Sequence, residues 1–256
     1  MRWLALALFL TATTLVAQRD RPYFRASFGA AGGNYGFDSD LAGFDDDADA
    51  GLLQARFEYT TRKGIGGGIR FEHFRTERDE GLFRDPSNLF DRGTQARSST
   101  FLAHGTFRFE QHRFSMPVRF GILVNGLTLD DHAATDPETD YVSAGPFFEV
   151  EPELILFHRG KMEMSVYTQA GFGAAGTLIE VDGELDANGD LREYESSTGF
   201  AMFEVGTRLK VGKAQFGIAF VGRYQSMDRS EFEGNNFIFG YDSGFEGVLL
   251  TAGVTF

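Results

Sequence analysis

The chain has 256 residues, no cysteine and a formal net charge of −13, with 37 acidic residues against 24 lysines and arginines. Without cysteine it can form no disulfide, thiolate metal site or cysteine nucleophile, and the acidic balance argues against nucleic-acid binding, which needs a basic face. The 28 phenylalanines and 32 glycines against a single tryptophan are an unusual balance that calls for a structural cause.

The N-terminal segment has the layout of a secretory signal peptide. Arg2 precedes an apolar run from Trp3 to Leu10, which continues weakly to Val16 and ends at Ala17. A basic start, a short apolar centre and a small residue before the cleavage site are typical of such a signal. We therefore expect residues 1–17 to be removed and residues 18–256 to form one domain, because no Pro/Ser-rich linker divides them.

The rest of the chain contains ten segments in which apolar and polar residues alternate with a period of two. This period is the signature of strands with one apolar and one polar face. In chain order the segments span residues 23–31, 53–60, 65–74, 100–110, 114–126, 148–156, 162–175, 201–210, 214–225 and 246–256. No later stretch of about 18 apolar residues predicts a transmembrane helix.

The connections between these segments are alternately long and short. The long ones, around residues 32–50, 76–98, 128–140, 180–197 and 228–244, hold most of the acidic residues. The short ones, around residues 61–64, 110–113, 158–161 and 210–213, are basic. A soluble sandwich or lipocalin-like barrel gives no reason for five long loops at one end, whereas transmembrane barrels have short turns at one rim and longer loops at the other.

The sequence therefore predicts an all-β fold, a transmembrane antiparallel up-and-down β-barrel of about ten strands, with about eight or twelve as alternatives. A closed sheet satisfies the backbone hydrogen bonds in lipid. Phenylalanine on the outside supplies apolar area, which accounts for its abundance. Small residues on the polar face, such as Ser27, Gly29, Gly171 and Gly173, are expected to leave room for arginine and glutamate side chains inside.

The chain resembles the Gram-negative outer-membrane β-barrel class, and the last segment carries the most specific part of the resemblance. In VLLTAGVTF one face carries Val248, Leu250, Ala252, Val254 and Phe256, and members of the class end in a strand whose last residue is aromatic. The resemblance implies an integral outer-membrane location, contact with membrane lipid and lipopolysaccharide, and recognition of Phe256 by the barrel-assembly machinery. It also implies that both mature termini lie in the periplasm. We expect the final strand to pair with the first around residues 24–30.

Charged residues of both signs fall on the predicted polar faces. The lumen set comprises Arg56, Arg70, Arg108, Arg119, Glu149, Glu151, Glu153, Arg208 and Arg223, and Glu58, Glu72 and Glu110 stand on the same polar faces. A barrel of about ten strands is only somewhat wider than one that side chains fill, so opposite charges inside should pair, since an unpaired buried charge is costly. The set favours a lumen plugged by ion pairs. As the alternative, the three successive glutamates would favour cations in a narrow water path.

The fourth long connection matches the frame of a calcium loop. ELDANGDLREYE carries oxygen ligands at Glu184, Asp186, Asn188, Asp190 and Glu195, with a glycine at the turning position. The first position departs from the frame, in which Asp is expected, and flanking helices are lacking. Calcium binding by these residues is one prediction, and an acidic hairpin loop with an Asn-Gly turn is the other. No other cofactor is expected.

Acidic residues and a histidine in two other long connections suggest a third possibility. Asp45 to Asp47 lie in the first, and Asp130 and His132 in the third. The combination is similar to the omptin outer-membrane proteases, because such a histidine could activate water against a peptide carbonyl. The other histidines show no metal-ligand spacing. We predict that the protein is not an enzyme, with an omptin-like or other loop-borne hydrolase as the alternative.

The function predicted from these features is a structural role or a narrow pore for small solutes, with acidic loops that bind cations. Acidic loops beside anionic lipopolysaccharide need such ions to offset repulsion. The alternative from a different class is a surface adhesin that binds an extracellular ligand through its long loops.

Overall fold

The computed structural model describes residues 22–40, 45–77, 82, 93–131, 138–185, 191–231 and 237–256. Its strands are β1 (Tyr23–Ser39), β2 (Asp45–Thr60), β3 (Ile65–Thr76), β4 (Thr94–Gln111), β5 (Phe114–Asp131), β6 (Thr139–Val150), β7 (Glu153–Arg159), β8 (Met162–Leu185), β9 (Leu191–Val211), β10 (Ala214–Met227) and β11 (Tyr241–Thr255). No helix among the described residues is long and apolar enough to cross a membrane.

The strands form one antiparallel sheet that closes on itself. Successive strands pair along the chain, except that β6 and β7 both lie between β5 and β8, and β1 pairs with β11. In the closing ladder Phe28 lies opposite Ala252 and Ala30 lies opposite Leu250. The predicted up-and-down barrel and its closure by the first and last strands are confirmed. We call the rim that carries the short turns, at residues 61–64, 112–113, 160–161 and 212–213, the turn end. The opposite rim, which carries the long connections, is the loop end.

Strands β6 and β7 form a single pass of the barrel wall, interrupted at Pro152. Both pair with β5 and β8, and the register continues across the interruption. Proline has no N–H to donate to a ladder, but the carbonyl of Pro152 accepts a hydrogen bond from the Thr168 amide at 3.0 Å. The barrel therefore has the predicted ten passes, although the described residues form eleven strand segments.

The strands extend further toward the loop end than the alternation predicted. β1 continues to Ser39 and β2 begins at Asp45, so the first long connection is shorter than predicted, and Asp45 to Asp47 belong to a strand. In these extensions the polarity of the alternation is inverted: Tyr35 and Ala48 point inward and are buried, while the outward positions are polar. The alternation predicts strands with apolar residues on the outer face, so it assigns stretches with the inverted pattern to loops.

The outer surface between the rims is a belt of exposed apolar side chains. Phe28, Leu53, Ile122, Phe172 and Leu250 are each more than half exposed. Exposure of such a surface to water is unfavourable, whereas outer-membrane barrels present an apolar band to lipid. The apolar face predicted from the alternation therefore points outward along this part of the wall.

Two of the small inward residues make room for apolar rather than charged neighbours, so that expectation was wrong for them. A Cβ on Gly171 would lie 2.6 Å from the ring of Phe147, and one on Gly29 would lie 2.8 Å from Leu249 Cδ1. Phe147 and Leu249 are buried inside the barrel. Glycine is needed at both positions because large apolar side chains pack in a narrow lumen.

Each of the four short turns contains one residue with a left-handed backbone. These are Gly64, Gly160 and Gly212, with φ of 76°, 61° and 64°, and His112, with φ of 50°. Glycine adopts this conformation freely, whereas another L-residue bears a cost of about 1–2 kcal/mol. The turn at His112 is therefore the one whose sequence least suits its backbone.

Exchanging these residues is expected to change stability in opposite directions. Gly212→Ala should lower the free energy of unfolding by about 1 kcal/mol, and His112→Gly should raise it by up to about 1 kcal/mol. A Cβ at Gly212 meets nothing within 4 Å, so the loss measures backbone strain alone. Urea unfolding of the refolded barrel, followed by far-UV circular dichroism, measures both changes. Equal midpoints for Gly212→Ala and the parent chain would contradict the assigned turn geometry.

Candidate functional site

Side chains fill the lumen in two tiers. The charged tier lies toward the turn end and comprises Arg25, Arg56, Glu58, Arg70, Glu72, Arg108, Glu110, Arg119, Glu149, Glu151, Glu153, Glu204, Arg208 and Arg223. The apolar tier lies toward the loop end and includes Tyr35, Phe37, Leu52, Phe74, Leu127, Tyr141, Ile179, Tyr194, Tyr241, Phe245 and Leu249.

Arg119 is the hub of the charged tier. Its side chain is almost completely buried, and the guanidinium nitrogens lie 2.8 Å from Glu58 Oε2, 2.6 Å from Glu149 Oε1 and 2.9 Å from Glu151 Oε2. Arginine suits such a position because its planar group has five donors and binds carboxylates on more than one edge. One side chain of β5 thus joins β2 to the neighbouring pass of β6 and β7.

Glu151 is shared among four arginines. Its carboxylate oxygens lie 2.6 Å from Arg208, 2.7 Å from Arg56, 2.9 Å from Arg119 and 3.2 Å from Arg25. These arginines belong to four different strands. The carboxylate therefore holds together distant parts of the wall from a position beside the break at Pro152.

A second node forms around Glu72 and Glu204. The Arg223 guanidinium lies 2.8 Å from Glu72 Oε2 and 2.6 Å from Glu204 Oε1, and the Gln54 amide donates to both glutamates at 2.9 Å and 3.1 Å. Arg70 connects the two nodes because it lies 3.4 Å from Glu72 and 2.8 Å from Glu149. The two nodes therefore form one continuous network, and Arg108 forms an ion pair with Glu110 at 2.5 Å beside it.

The structure places all nine predicted lumen residues inside the barrel, eight of them in this network and Arg108 in the pair with Glu110. The three successive glutamates do not line an open path among the described residues, since each contacts arginine; the weakest contact is that of Glu153 with Arg208 at 3.5 Å. Sequence reasoning missed Glu204 and the amide of Gln54. Each lies on the same face of its strand as a predicted member, Glu204 with Arg208 and Gln54 with Arg56. The period of two would therefore have identified both residues.

The apolar tier overturns the expectation of a polar face along the whole lumen. The Tyr241 ring lies 4.9 Å from that of Phe37 and 5.3 Å from that of Tyr141, and the Tyr35 ring lies 4.6 Å from that of Phe74. Toward the loop end the strands project past the apolar belt, so water lies outside and apolar side chains such as Tyr35 and Phe245 turn inward. The tier begins within the belt, because Leu52 and Leu249 are buried beside the exposed Leu53 and Leu250. Between the tiers lies a cavity of about 50 Å³.

The two ends of the calcium-like frame lie in the β8–β9 hairpin. Glu195 is exposed on the outer face of β9 and lies opposite Leu178 in the ladder. Glu184 lies in β8, and residues 186–190 lie outside the described residues. The described part of the chain contains no group of three or more His, Cys, Asp or Glu that could hold a metal. Calcium binding by the frame stays a prediction.

Two acidic residues of the hydrolase alternative, Asp47 and Asp130, make contacts on the outer wall. Asp130, which lies in β5 rather than in a loop, forms an ion pair with Arg97 at 2.5 Å. Asp47 accepts a hydrogen bond from the Asn34 amide at 2.6 Å. His132 lies outside the described residues. The alternative stays a prediction, with no acid–histidine pair at the loop end within the described ranges to support it.

Predictions for the two chain ends are not tested by the geometry. Residues 1–17 lie outside the described residues, so the signal peptide stays a prediction. The ring of Phe256 is exposed and lies 4.5 Å from Lys213 Nζ and 5.8 Å from the ring of Phe24. Its recognition by the assembly machinery likewise stays a prediction.

No protein-family model matches the chain, and no curated protein matches it. Among solved structures it is similar to the outer membrane protease OmpT of Escherichia coli, with a TM-score of 0.50 and 12% identity over 93% of this chain and 96% of that one. It is also similar to the translocator domain of the autotransporter NalP from Neisseria meningitidis (TM-score 0.36, 9% identity, 97% and 94% covered). A third is Ail, the attachment invasion locus protein of Yersinia pestis (TM-score 0.25, 12% identity, 92% and 99% covered). At these identities the likeness concerns the fold alone.

Removing the hub of the charged tier is expected to destabilise the barrel strongly. Arg119→Met should lower the free energy of unfolding by about 3–5 kcal/mol, because it leaves buried carboxylates short of a partner. Arg97→Met is the matched control: it removes a half-exposed surface pair with Asp130 and should cost at most about 1 kcal/mol. Urea unfolding of both refolded variants measures the difference. A loss for Arg119→Met no larger than that of the control would show that the network is not structural.

Proposed function

We propose that the chain, an integral outer-membrane β-barrel protein, is a non-enzymatic and non-conducting scaffold that holds its long acidic loops at the cell surface. The observation that carries the proposal is the lumen filled at two levels, by the charged tier and by the apolar tier. A conducting porin instead has a polar, water-filled interior.

The charged tier opposes ion passage because its charges are already paired. A cation that approached Glu151 would have to displace a guanidinium from among the four within 3.2 Å. An arginine separated from its carboxylate in the buried lumen carries a penalty of several kcal/mol. The arrangement therefore supports the plugged alternative over the narrow cation path.

The apolar tier is a second and independent barrier. Tyr35 and Phe245 are 2% and 1% exposed, and their neighbours are aromatic or aliphatic. Apolar constrictions exclude water and thereby block ions. The cavity of about 50 Å³ between the tiers is far below the ~300–1,000 Å³ of ordinary ligand sites.

The barrel is expected to show no conductance steps in a planar lipid bilayer. A combined Arg119→Ala, Tyr241→Ala and Phe245→Ala variant, which thins both tiers, should produce steps if it folds. The matched control is Phe28→Ala, Phe172→Ala and Phe220→Ala on the lipid face, with an unchanged lumen and no steps expected.

Steps from the parent chain above the detergent blank would contradict the scaffold proposal. If those steps also decrease in a variant with Glu149→Gln, Glu151→Gln and Glu153→Gln, the narrow cation pore is the better function. Far-UV circular dichroism of each preparation separates a closed barrel from an unfolded one.

A second candidate, a surface binding protein, is favoured by the length of the β8–β9 hairpin. These strands contain 24 and 21 residues, whereas about 9–11 suffice to cross the outer membrane. The ladder of β6 with β8 ends at Val181, and β8 continues past that neighbour to Leu185. Exposed Glu180, Glu193 and Glu195 lie just before this extension and make that part of the hairpin acidic, which suits cations or a cationic partner.

Calcium titration tests the cation-binding part of both candidates. We expect the refolded barrel to bind Ca²⁺ with a dissociation constant on the order of 10⁻⁴ to 10⁻³ M, as extracellular calcium modules do. Glu195→Gln should weaken binding at least tenfold, and Asp242→Asn on β11 should leave it unchanged. Isothermal titration calorimetry measures the heat. A titration without heat, or equal affinity in both variants, would remove the calcium prediction and leave the scaffold proposal standing.

A further inference from the structure

The outer wall contains an apolar trough of about 460 Å³ beside Pro152. Its floor is made of outward-facing side chains of β8 and β9 that are small for this surface, namely Val166, Thr168, Val205 and Thr207. Val166 lies opposite Thr207 in the ladder, and Thr168 lies opposite Val205. The floor therefore spans two adjacent strands.

Large side chains border the floor on both sides. Phe114 of β5 and Leu154 of β7 face each other in the ladder on one side. On the other side, Ile218 and Phe220 of β10 lie opposite the floor residues of β9. These four side chains are each between 41% and 50% exposed. A row of short side chains between two rows of long ones forms a trough open to lipid.

The break at Pro152 shapes the trough without opening the wall. The proline cannot donate a ladder hydrogen bond, yet its carbonyl accepts one from Thr168 at 3.0 Å. Behind it, Glu151 is held by four arginines of the charged tier. The trough is therefore an indentation with a firm floor.

Exposed basic side chains lie at the turn end below the trough. Arg159 is the last residue of β7, Lys161 belongs to the turn between β7 and β8, and Lys213 belongs to the turn between β9 and β10. The Gly212 amide donates to the Lys161 carbonyl at 2.8 Å, so these two turns are neighbours. Their charges concentrate at one part of the rim.

The distance between the trough and this rim matches half of a membrane. Lys161 and Val166 are five residues apart on β8, which is about 16 Å along a strand and about 12 Å along the membrane normal at the usual tilt. The apolar band of an outer-membrane barrel is about 25 Å tall. The trough thus lies near the midplane, and the basic residues lie at the level of headgroups.

We propose that the trough and these basic turns bind one anionic glycerophospholipid of the periplasmic leaflet. One acyl chain lies over the floor between the two rows of large side chains, and the headgroup phosphate lies at Arg159, Lys161 and Lys213. The short turns of such barrels are periplasmic, which places the site in the phospholipid leaflet. Lipid tails are as apolar as the trough, so selectivity comes from charge, and each basic residue near the surface contributes about fivefold.

Lipid retention measured by native mass spectrometry tests the site. The full barrel in mild detergent is mixed with equal amounts of phosphatidylglycerol and phosphatidylethanolamine, and the lipids retained per barrel are counted. We expect one retained phosphatidylglycerol in preference to phosphatidylethanolamine. Arg159→Gln with Lys161→Gln should reduce that preference about twentyfold or more. Filling the trough by Thr168→Phe with Val205→Phe should abolish retention of either lipid.

Two control variants preserve the chemistry of these changes elsewhere on the barrel. Arg62→Gln with Lys63→Gln removes the same charge from another turn, and Val124→Phe adds a ring to another part of the lipid face; both should retain the lipid as the parent chain does. Equal retention of the two lipids, or equal loss in controls and test variants, would overturn the proposal. A barrel dimer lost on filling the trough would also overturn it, since a second copy would then be the occupant. Circular dichroism of every variant identifies any that has not folded.

Discussion

The rest of the structure depends on one constraint, which is whether lipid or water lies outside the barrel wall at a given level. Within the apolar belt the outside is lipid, so Phe28 and Phe172 face outward and arginine and glutamate turn inward. Beyond the belt the strands continue into water, and the same alternation carries the opposite assignment: Tyr35, Tyr194 and Phe245 turn inward. One continuous set of strands thereby encloses a charged interior at one level and an apolar core at the other.

The charged interior follows from this inversion together with the small diameter of the barrel. Most charged side chains of the turn half are buried, so their carboxylates need guanidinium partners, which come from neighbouring and from distant strands. Arg119 reaches Glu58, which is 61 residues away in sequence, and Arg25 reaches Glu151, which is 126 residues away. Such contacts tie opposite sides of the wall together. They support a scaffold role because the same contacts that stabilise the barrel occupy the space a solute would use.

Much of the fold could be predicted from the sequence, and the missed strand extensions have a physical cause. The ten passes, the alternation of loops and turns and the pairing of the first and last strands follow from a period of two and from connection length. The inward phase of Arg56 and Arg208 follows from the same period. The extensions of β1 and β2 and the break at Pro152 were not predicted. Periodicity shows that two faces differ in polarity, but it does not show where along a strand lipid gives way to water.

The sequence by itself determined the class of fold, the strand phase and the identity of most charged residues inside, because these depend on local alternation and on the chemistry of lipid contact. Only the tertiary structure decided that the lumen is filled at two levels and that Glu151 contacts four arginines. It also decided that short side chains of β8 and β9 form a trough between Phe114 and Phe220. These features depend on which residues of distant strands meet across a closed sheet. Strand register and closure set those distances, and neither is written in any single segment of the chain.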